Sequence, residues 1–268
     1  MSTKEAVVLS LIVPVYNEEE ELLSVLEYLF SPKFDYPVEW IFVEDCSADC
    51  SLQILKNEQL KYGYRLIEQS TNQGKGSAVI RGIHEASGEI IIIQDADFEY
   101  DVFEVSKIVQ PIINGRADVV YGSRFKKSAP QVHRTYHYFV NKFLTIISNL
   151  FSGIYLTDME TCYKAFRSEL VQNMNLTSKR FGIEVEFTAY IAKTPARIHE
   201  LPISYYPRTQ LQGKKINWKD GVAAIKHILY FNCFVSFSKA FSEKLPTKYK
   251  PITRKKDKLV FRPNSNLK

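Results

Sequence analysis

Cysteine is scarce in this chain, with four in 268 residues, and no secretion pattern accompanies them. That combination excludes a disulfide framework and reads as reduced thiols in a cytoplasmic setting. Cys46 and Cys50 lie close together but lack a second Cys or His pair, which argues against zinc. No apolar run approaches the ~18 residues of a spanning helix. The N-terminus sets Lys4 and Glu5 before a short apolar run that leads into Pro14, and it reads as a first strand rather than a cleavable leader. Internal repeats are lacking. Histidine offers no metal site: His133 and His137 are spaced for one helical face with nothing nearby to complete a set. Acidic and basic residues are unevenly spread. The chain total is +5 and residues 239–268 carry +8, so residues 1–238 are net −3. An acidic main domain argues against nucleic acid, and a basic tail suits an anionic membrane or solubility.

What remains is ordinary globular composition, 45% hydrophobic and 24% charged. The most informative stretch is Glu89 to Asp97, Glu-Ile-Ile-Ile-Ile-Gln-Asp-Ala-Asp. Four consecutive Ile cannot alternate in and out, so they predict a strand buried on both faces of a parallel sheet. Asp95 and Asp97 follow where the apolar run ends. In extended backbone residues i and i+2 point the same way, so two carboxylates converge at the carboxyl edge of the sheet, where open α/β sheets bind ligands. Two hard oxygens there suit a divalent cation. The plainer alternative is a strand end that caps the next helix.

Other β-rich runs are Val7–Val13, Trp40–Val43, Tyr64–Ile67 and Val119–Tyr121, with helix-like patterns between several of them. Asn17 is placed to cap the first helix, with Glu20 three residues on and an apolar stripe of Leu22, Leu23, Leu26 and Leu29. The alternation predicts a mostly parallel sheet flanked by helices. Tyr136–Tyr155 predicts an amphipathic helix. The expected division is a catalytic domain over 1–235, with halves at about 8–125 and 126–235, and a basic tail over 236–268.

Further residues carry chemical content. Pro14, Tyr16, Asn17 and Glu18 lie at a strand end and helix start, a natural nucleotide seat. Glu44 and Asp45 end the second strand and suit ribose hydroxyls or metal, while Asp49 suits a helix cap. Gly74, Lys75 and Gly76 form a Gly-flanked Lys that is neither a Walker loop nor a dinucleotide fingerprint. It suits either a diphosphate or an ordinary turn.

In order along residues 8–235, eight pieces now stand together. They are Val13 to Glu18, Glu44 to Asp49, Asn72 to Gly76, Gln94 to Asp97, Tyr121 to Phe125, Leu156 to Lys164, Tyr205 to Thr209 and Gly213 to Ile216. This set resembles family 2, GT-A-type glycosyltransferases, near the dolichyl-phosphate mannose synthases and bacterial polyprenyl-phosphate sugar transferases. Two residues depart from the family: Glu44 stands for the usual first Asp of an acidic pair, and Cys46 for the usual Gly. The resemblance implies a Rossmann-like GT-A fold that holds a nucleotide-sugar donor, GDP- or UDP-linked, through Pro14 to Glu18, Glu44, Asp45, Gly74, Lys75, Asp95, Ala96 and Asp97. It assigns Asp95, Asp97 and Glu99 to a divalent cation, Mg2+ or Mn2+. Arg124 and Arg208, with Lys214 and Lys215, fall to acceptor phosphate, and Asp97, Arg124 and Arg208 to the reaction centre.

The implied reaction is an inverting hexosyl transfer by in-line displacement. A lipid phosphate acceptor, polyprenyl or dolichyl, is already a nucleophile at neutral pH because its second pKa is ~6. It needs cations more than a base. A sugar-hydroxyl acceptor would need a carboxylate base, for which Asp158, Glu184 and Glu186 are the candidates. A non-catalytic nucleotide-sugar-binding protein is the third reading, disfavoured by the intact Asp pair. The apolar His227–Phe241 segment followed by the basic tail predicts peripheral attachment to the cytoplasmic face of a membrane, and an oligomer is compatible with all of this.

Overall fold

The computed structural model describes residues 8–126, 135–180, 182–207 and 218–251. Seven strands form one mixed sheet: β1 (Leu9–Val15), β2 (Val38–Glu44), β3 (Arg65–Glu68), β4 (Ile90–Ile93), β5 (Val119–Ser123), β6 (Lys164–Arg167) and β7 (Ile198–Pro202). Their spatial order is β3-β2-β1-β4-β6-β5-β7. The first four pair in parallel, whereas β6 runs antiparallel to both β4 and β5. Helices α1 (Leu22–Leu29), α2 (Ser51–Tyr62), α3 (Lys75–Glu85) and α4 (Val105–Ile113) connect the first five strands. The rest of the chain adds α5 (Thr135–Ser152), α6 (Ser168–Val171), α7 (Ile183–Ile191), α8 (Trp218–Leu229) and α9 (Phe237–Ala240).

The Ile run behaves as its composition requires. Ile90 and Ile92 join one core, Ile91 and Ile93 the other, and all four are buried. Both faces of β4 are therefore dry, so its ladder is protected and its carboxyl end is held rigidly. In register, Val15 lies opposite Glu44, Glu44 opposite Glu68, and Ile12 opposite Ile93. The carboxyl ends of four parallel strands thus share one edge. The chain leaves β1 toward β2 on one side and returns to β4 on the other, which makes the switch point where α/β sheets seat ligands. Because β6 is antiparallel, the loop before it, Leu156 to Tyr163, also arrives at this edge.

Two expectations are corrected. Asn17 does not cap α1: that helix begins at Leu22 without a side-chain cap, and Leu23, predicted within its apolar stripe, is exposed. Asn17 instead adopts φ 53°, and its side-chain oxygen accepts from Ala48 N at 2.8 Å. A short amide that bonds locally tolerates this left-handed conformation. Asp49 does serve the next helix, accepting from Ser51 N at 2.9 Å and also from Glu19 N at 3.1 Å. Past Val235 the chain stays against the core as far as Tyr249. Ala240, Phe241, Leu245 and Tyr249 are buried in the main core, and Met174 bridges Phe241 in antiparallel fashion. The Tyr249 hydroxyl reaches Asp118 and Glu169 at 3.3 Å. Apolar residues widely spaced in a Lys-rich segment hid this packing. The part of the tail beyond 251 lies outside the described residues.

Phe241→Ala should therefore destabilise the whole fold by about 3–5 kcal/mol. Chemical denaturation followed by circular dichroism checks this, and an unchanged midpoint would return the segment to an appended tail.

Candidate active site

At the shared edge, β4 gives way to Asp95 and Asp97, and α3 begins with Lys75. Lys75 Nζ lies 2.6 Å from Asp95 Oδ1 and donates to Cys162 Sγ at 2.8 Å. Burial works against the lysine charge, but Asp95, then Cys162 and Glu184, outweigh it and hold the ammonium well above the usual lysine range. Burial, then Asp95, pushes the Cys162 thiol up, so it stays protonated. Lys75 is thus a fixed cation at the strand edge rather than a solvated turn residue.

The Gly74–Gly76 turn is built by Asp45. Its buried carboxylate accepts from Gln73 N at 2.9 Å, Gly74 N at 2.7 Å and Gln69 Nε2 at 2.7 Å. Gly74 has φ 92°, and a Cβ there would meet the Lys179 carbonyl at 2.6 Å. Gly76 is tighter still, 2.2 Å from the Ser178 carbonyl. Only glycine fits such close backbone approach. This packing brings the exposed Lys179 and Arg180 against the loop, two cations that the sequence reading did not single out and that no local motif announced. Glu44 folds back on its own loop, accepting from Ser47 N at 2.6 Å and Cys46 N at 3.1 Å. Cys46 there takes φ 57°, the conformation that a glycine adopts most readily. Tyr16 is exposed beside this loop, where Asn17 N bonds Ser47 Oγ at 3.1 Å and Glu18 N bonds Ser51 Oγ at 2.9 Å. Pro14 lies in β1 opposite Val43, and Ala96 is buried between the two aspartates.

The three carboxylates expected to share a cation face different partners. Asp95 takes Lys75, Asp97 Oδ1 accepts from Glu99 N at 2.9 Å, and Glu99 accepts from the Tyr205 hydroxyl at 3.2 Å. Among the described residues no three His, Cys, Asp or Glu side chains are grouped to hold a metal. Mutual repulsion keeps three carboxylates apart when nearer cations and N–H groups can take them. Asp95 and Asp97 are two hard carboxylates set two residues apart at this edge, and a cation that keeps several waters needs only one or two carboxylates from the protein.

Arg124, at the end of β5, is held by Asp158 in a bidentate fork. Nε lies 2.7 Å from Oδ2, Nη2 lies 2.8 Å from Oδ1, and the Arg124 backbone N adds a third bond at 3.0 Å. Asp158 is fully buried. Tyr205 lies over the guanidinium, 5.1 Å from its ring centroid. Asp158 is therefore a partner of arginine rather than an open base. Glu186 is likewise engaged, accepting from Thr177 N, Thr177 Oγ1 and Ser178 N within 3.1 Å. Glu184 keeps a buried Oε2 with no hydrogen-bond partner, as does Glu160 Oε1. Burial, then Glu184, pushes the Glu160 carboxyl up to about 7, and burial lowers the neighbouring Lys164. Arg208, Lys214 and Lys215 lie outside the described residues.

A family model, Glycosyl transferase family 2, matches residues 10–174, which is more than half of the chain. The chain belongs to glycosyl transferase family 2. Among curated relatives, the dolichol-phosphate mannosyltransferase of Pyrococcus furiosus is 27% identical over 214 residues, covering 77% of this chain and 60% of that protein. The UDP-N-acetylglucosamine–dolichyl-phosphate N-acetylglucosaminyltransferase of Methanococcus voltae is 29% identical over 216 residues, covering 72% and 83%. The match thus spans well under two thirds of the first relative and most of the second. In fold, the chain resembles glucosyl-3-phosphoglycerate synthase from Mycobacterium tuberculosis, crystallised with Mn2+, UDP and phosphoglyceric acid. The TM-score is 0.64 at 17% identity, covering 85% of this chain and 80% of that one. The sheet and its flanking helices are those of GT-A glycosyltransferases.

Two outcomes follow for this family member. Asp158→Asn leaves a buried guanidinium half-paired and should cost about 3–5 kcal/mol, measured by thermal unfolding; a loss below ~1 kcal/mol would show the pair to be solvent-screened. Glu160 has its folded pKa raised from 4.5 to about 7. Between those values the unfolded chain releases a proton that the folded chain keeps, so this group's contribution to stability falls as pH rises from about 4.5 through about 7. Glu160→Gln should flatten stability against pH in that window, and an unaltered slope would remove Glu160 as its source.

Proposed function

We propose that the chain transfers a hexose from a GDP- or UDP-linked sugar to the phosphate of a polyprenyl or dolichyl lipid, with inversion at the anomeric carbon. The observation that carries this reading is Lys75 fixed against Asp95 at the carboxyl end of β4, with Asp97 two residues on. A fixed, mostly shielded cation beside two hard oxygens suits a diphosphate that must leave as an anion. Asp95 and Asp97 would hold a divalent cation, Mg2+ or Mn2+, which when bound neutralises charge on the leaving group. The P. furiosus and M. voltae relatives, whose names specify dolichyl phosphate, support the acceptor class.

The chain's own residues divide the work. Pro14 to Glu18 and the Glu44–Asp45 loop receive the nucleoside, with Asp45 acting through the Gly74 turn it builds. Lys75 stabilises the departing diphosphate. An acceptor phosphate oxygen forms the bond to the anomeric carbon as the bond to the diphosphate breaks, so nucleoside diphosphate is released and no proton has to be taken from the nucleophile. Arg124 is already balanced by Asp158 and serves to position the edge. The net positive charge for the acceptor then falls to Arg208, Lys214 and Lys215. The engagement of Asp158 and Glu186 also favours a phosphate over a sugar hydroxyl, because two of the three candidate bases are occupied. The protein would work on the cytoplasmic face of a membrane.

Incubation with a panel of GDP- and UDP-sugars and a short polyprenyl phosphate should give lipid-linked hexose with Mg2+ or Mn2+ and none in excess chelator. Asp97→Asn, an edge change that leaves an oxygen for Glu99 N, should keep the melting temperature while turnover falls about 100-fold or more. Full activity in chelator or in this variant would remove the carboxylate pair from the chemistry.

A further inference from the structure

Helix α5 has two apolar faces, and only one is covered. Leu144, Thr145 and Ser148 are buried, with Val140 and Ile147 packed against the core. On the other side Phe139, Phe143, Ile146 and Leu150 recur at intervals of four, three and four residues and are 64%, 55%, 56% and 77% exposed. Phe151 in the last turn of α5 and Tyr155 just past its end extend the exposed apolar surface. A stripe this large and contiguous is uncommon on a soluble surface and marks an interaction site. No helix is long and apolar enough to cross a membrane among the described residues, so a surface-lying role is the geometry left to it.

We infer that this stripe is the membrane-docking face, laid into the apolar boundary of an anionic bilayer beside the acceptor site. The inference rests on the lipid-phosphate reading for its purpose but on separate residues for its evidence. Charge selects the occupant. The 18-residue α5 contains no Asp or Glu. The sequence segments 127–134 and 208–217, which precede α5 and α8, contain Lys127, Arg134, Arg208, Lys214 and Lys215 and no acidic residue. A second copy would set like charges against each other, whereas anionic headgroups match them. Apolar insertion together with basic attraction is the pairing that makes peripheral binding stable. The stripe is also tied to the reaction edge. Tyr138 meets the Phe125 ring edge-on at 5.2 Å, one residue from Arg124. Lys142 lies 4.4 Å from the Phe125 ring centroid and donates to Thr157 O at 3.0 Å, one residue from Asp158. A bilayer met by α5 would therefore present a lipid phosphate close to Arg124. The attachment expected from His227–Phe241 is only half available, because Ile228, Phe231 and Phe241 belong to the core while Tyr230 and Phe234 stay exposed.

Co-sedimentation of the full chain with phosphatidylcholine vesicles, with and without phosphatidylglycerol, tests this against the triple variant F143S/I146S/L150S, whose exposed positions spare the core. Wild type should sediment with the anionic vesicles, and the variant's partition should drop about tenfold or more. Its KM for a vesicle-borne polyprenyl phosphate should rise while kcat/KM for a short water-soluble one stays at wild type. Equal sedimentation of variant and wild type, or no vesicle binding by wild type, overturns the docking face. A wild-type dimer that the variant dissolves also overturns it, in favour of a seam between copies. Stripe-dependent vesicle binding without transfer to either phosphate supports the face and rejects the acceptor reading instead.

Discussion

The largely shielded contact of Lys75 with Asp95 and Cys162 is the constraint around which the site is arranged. It joins the first residue of α3, the residue two beyond β4 and the loop before β6. An ammonium removed from water is tolerated only with close partners. That requirement pulls three segments, separated by as many as 87 residues, to one point. The Gly74 turn must then pass tightly under Lys179, and Asp45 must spend both oxygens holding it. The loops after β4, before α3 and before β6 share one charge.

A second buried pair repeats the arrangement across the edge. Arg124 and Asp158 join the end of β5 to the loop before β6, and Tyr205 links that guanidinium to Glu99. Such pairs owe their value less to net stability than to positioning, since desolvation offsets much of the attraction. Here the two pairs fix cations and carboxylates at the sheet edge, and on the proposed reading no reorganisation is needed as charge develops.

The unpartnered oxygens of Glu160 and Glu184 form the least settled part of this interior. They lie along the same loop-and-helix junction as Cys162 and Lys164, and burial, then the charge of Glu184, pushes the Glu160 carboxyl up to about 7. A polar interior of this kind is tolerated at a site and would be a defect in a core.

By itself the sequence determined the parallel half of the sheet, because an unbroken Ile run, strand–helix alternation and a paired Asp-X-Asp at a strand end are local patterns with local causes. The motif order from Val13 to Lys164 was equally legible. Tertiary structure alone decided where the side chains point. That Asp158 grips Arg124, that Glu186 holds the Thr177–Ser178 backbone, and that Glu44 caps its own loop depends on contacts across the fold that no spacing reveals. The antiparallel β6, inserted between β4 and β5, was hidden because Lys164 to Arg167 is short and charged at both ends. Residues 237–249 read as tail for the same reason: four buried apolar groups among lysines have no period, and only the groove they fill makes them core.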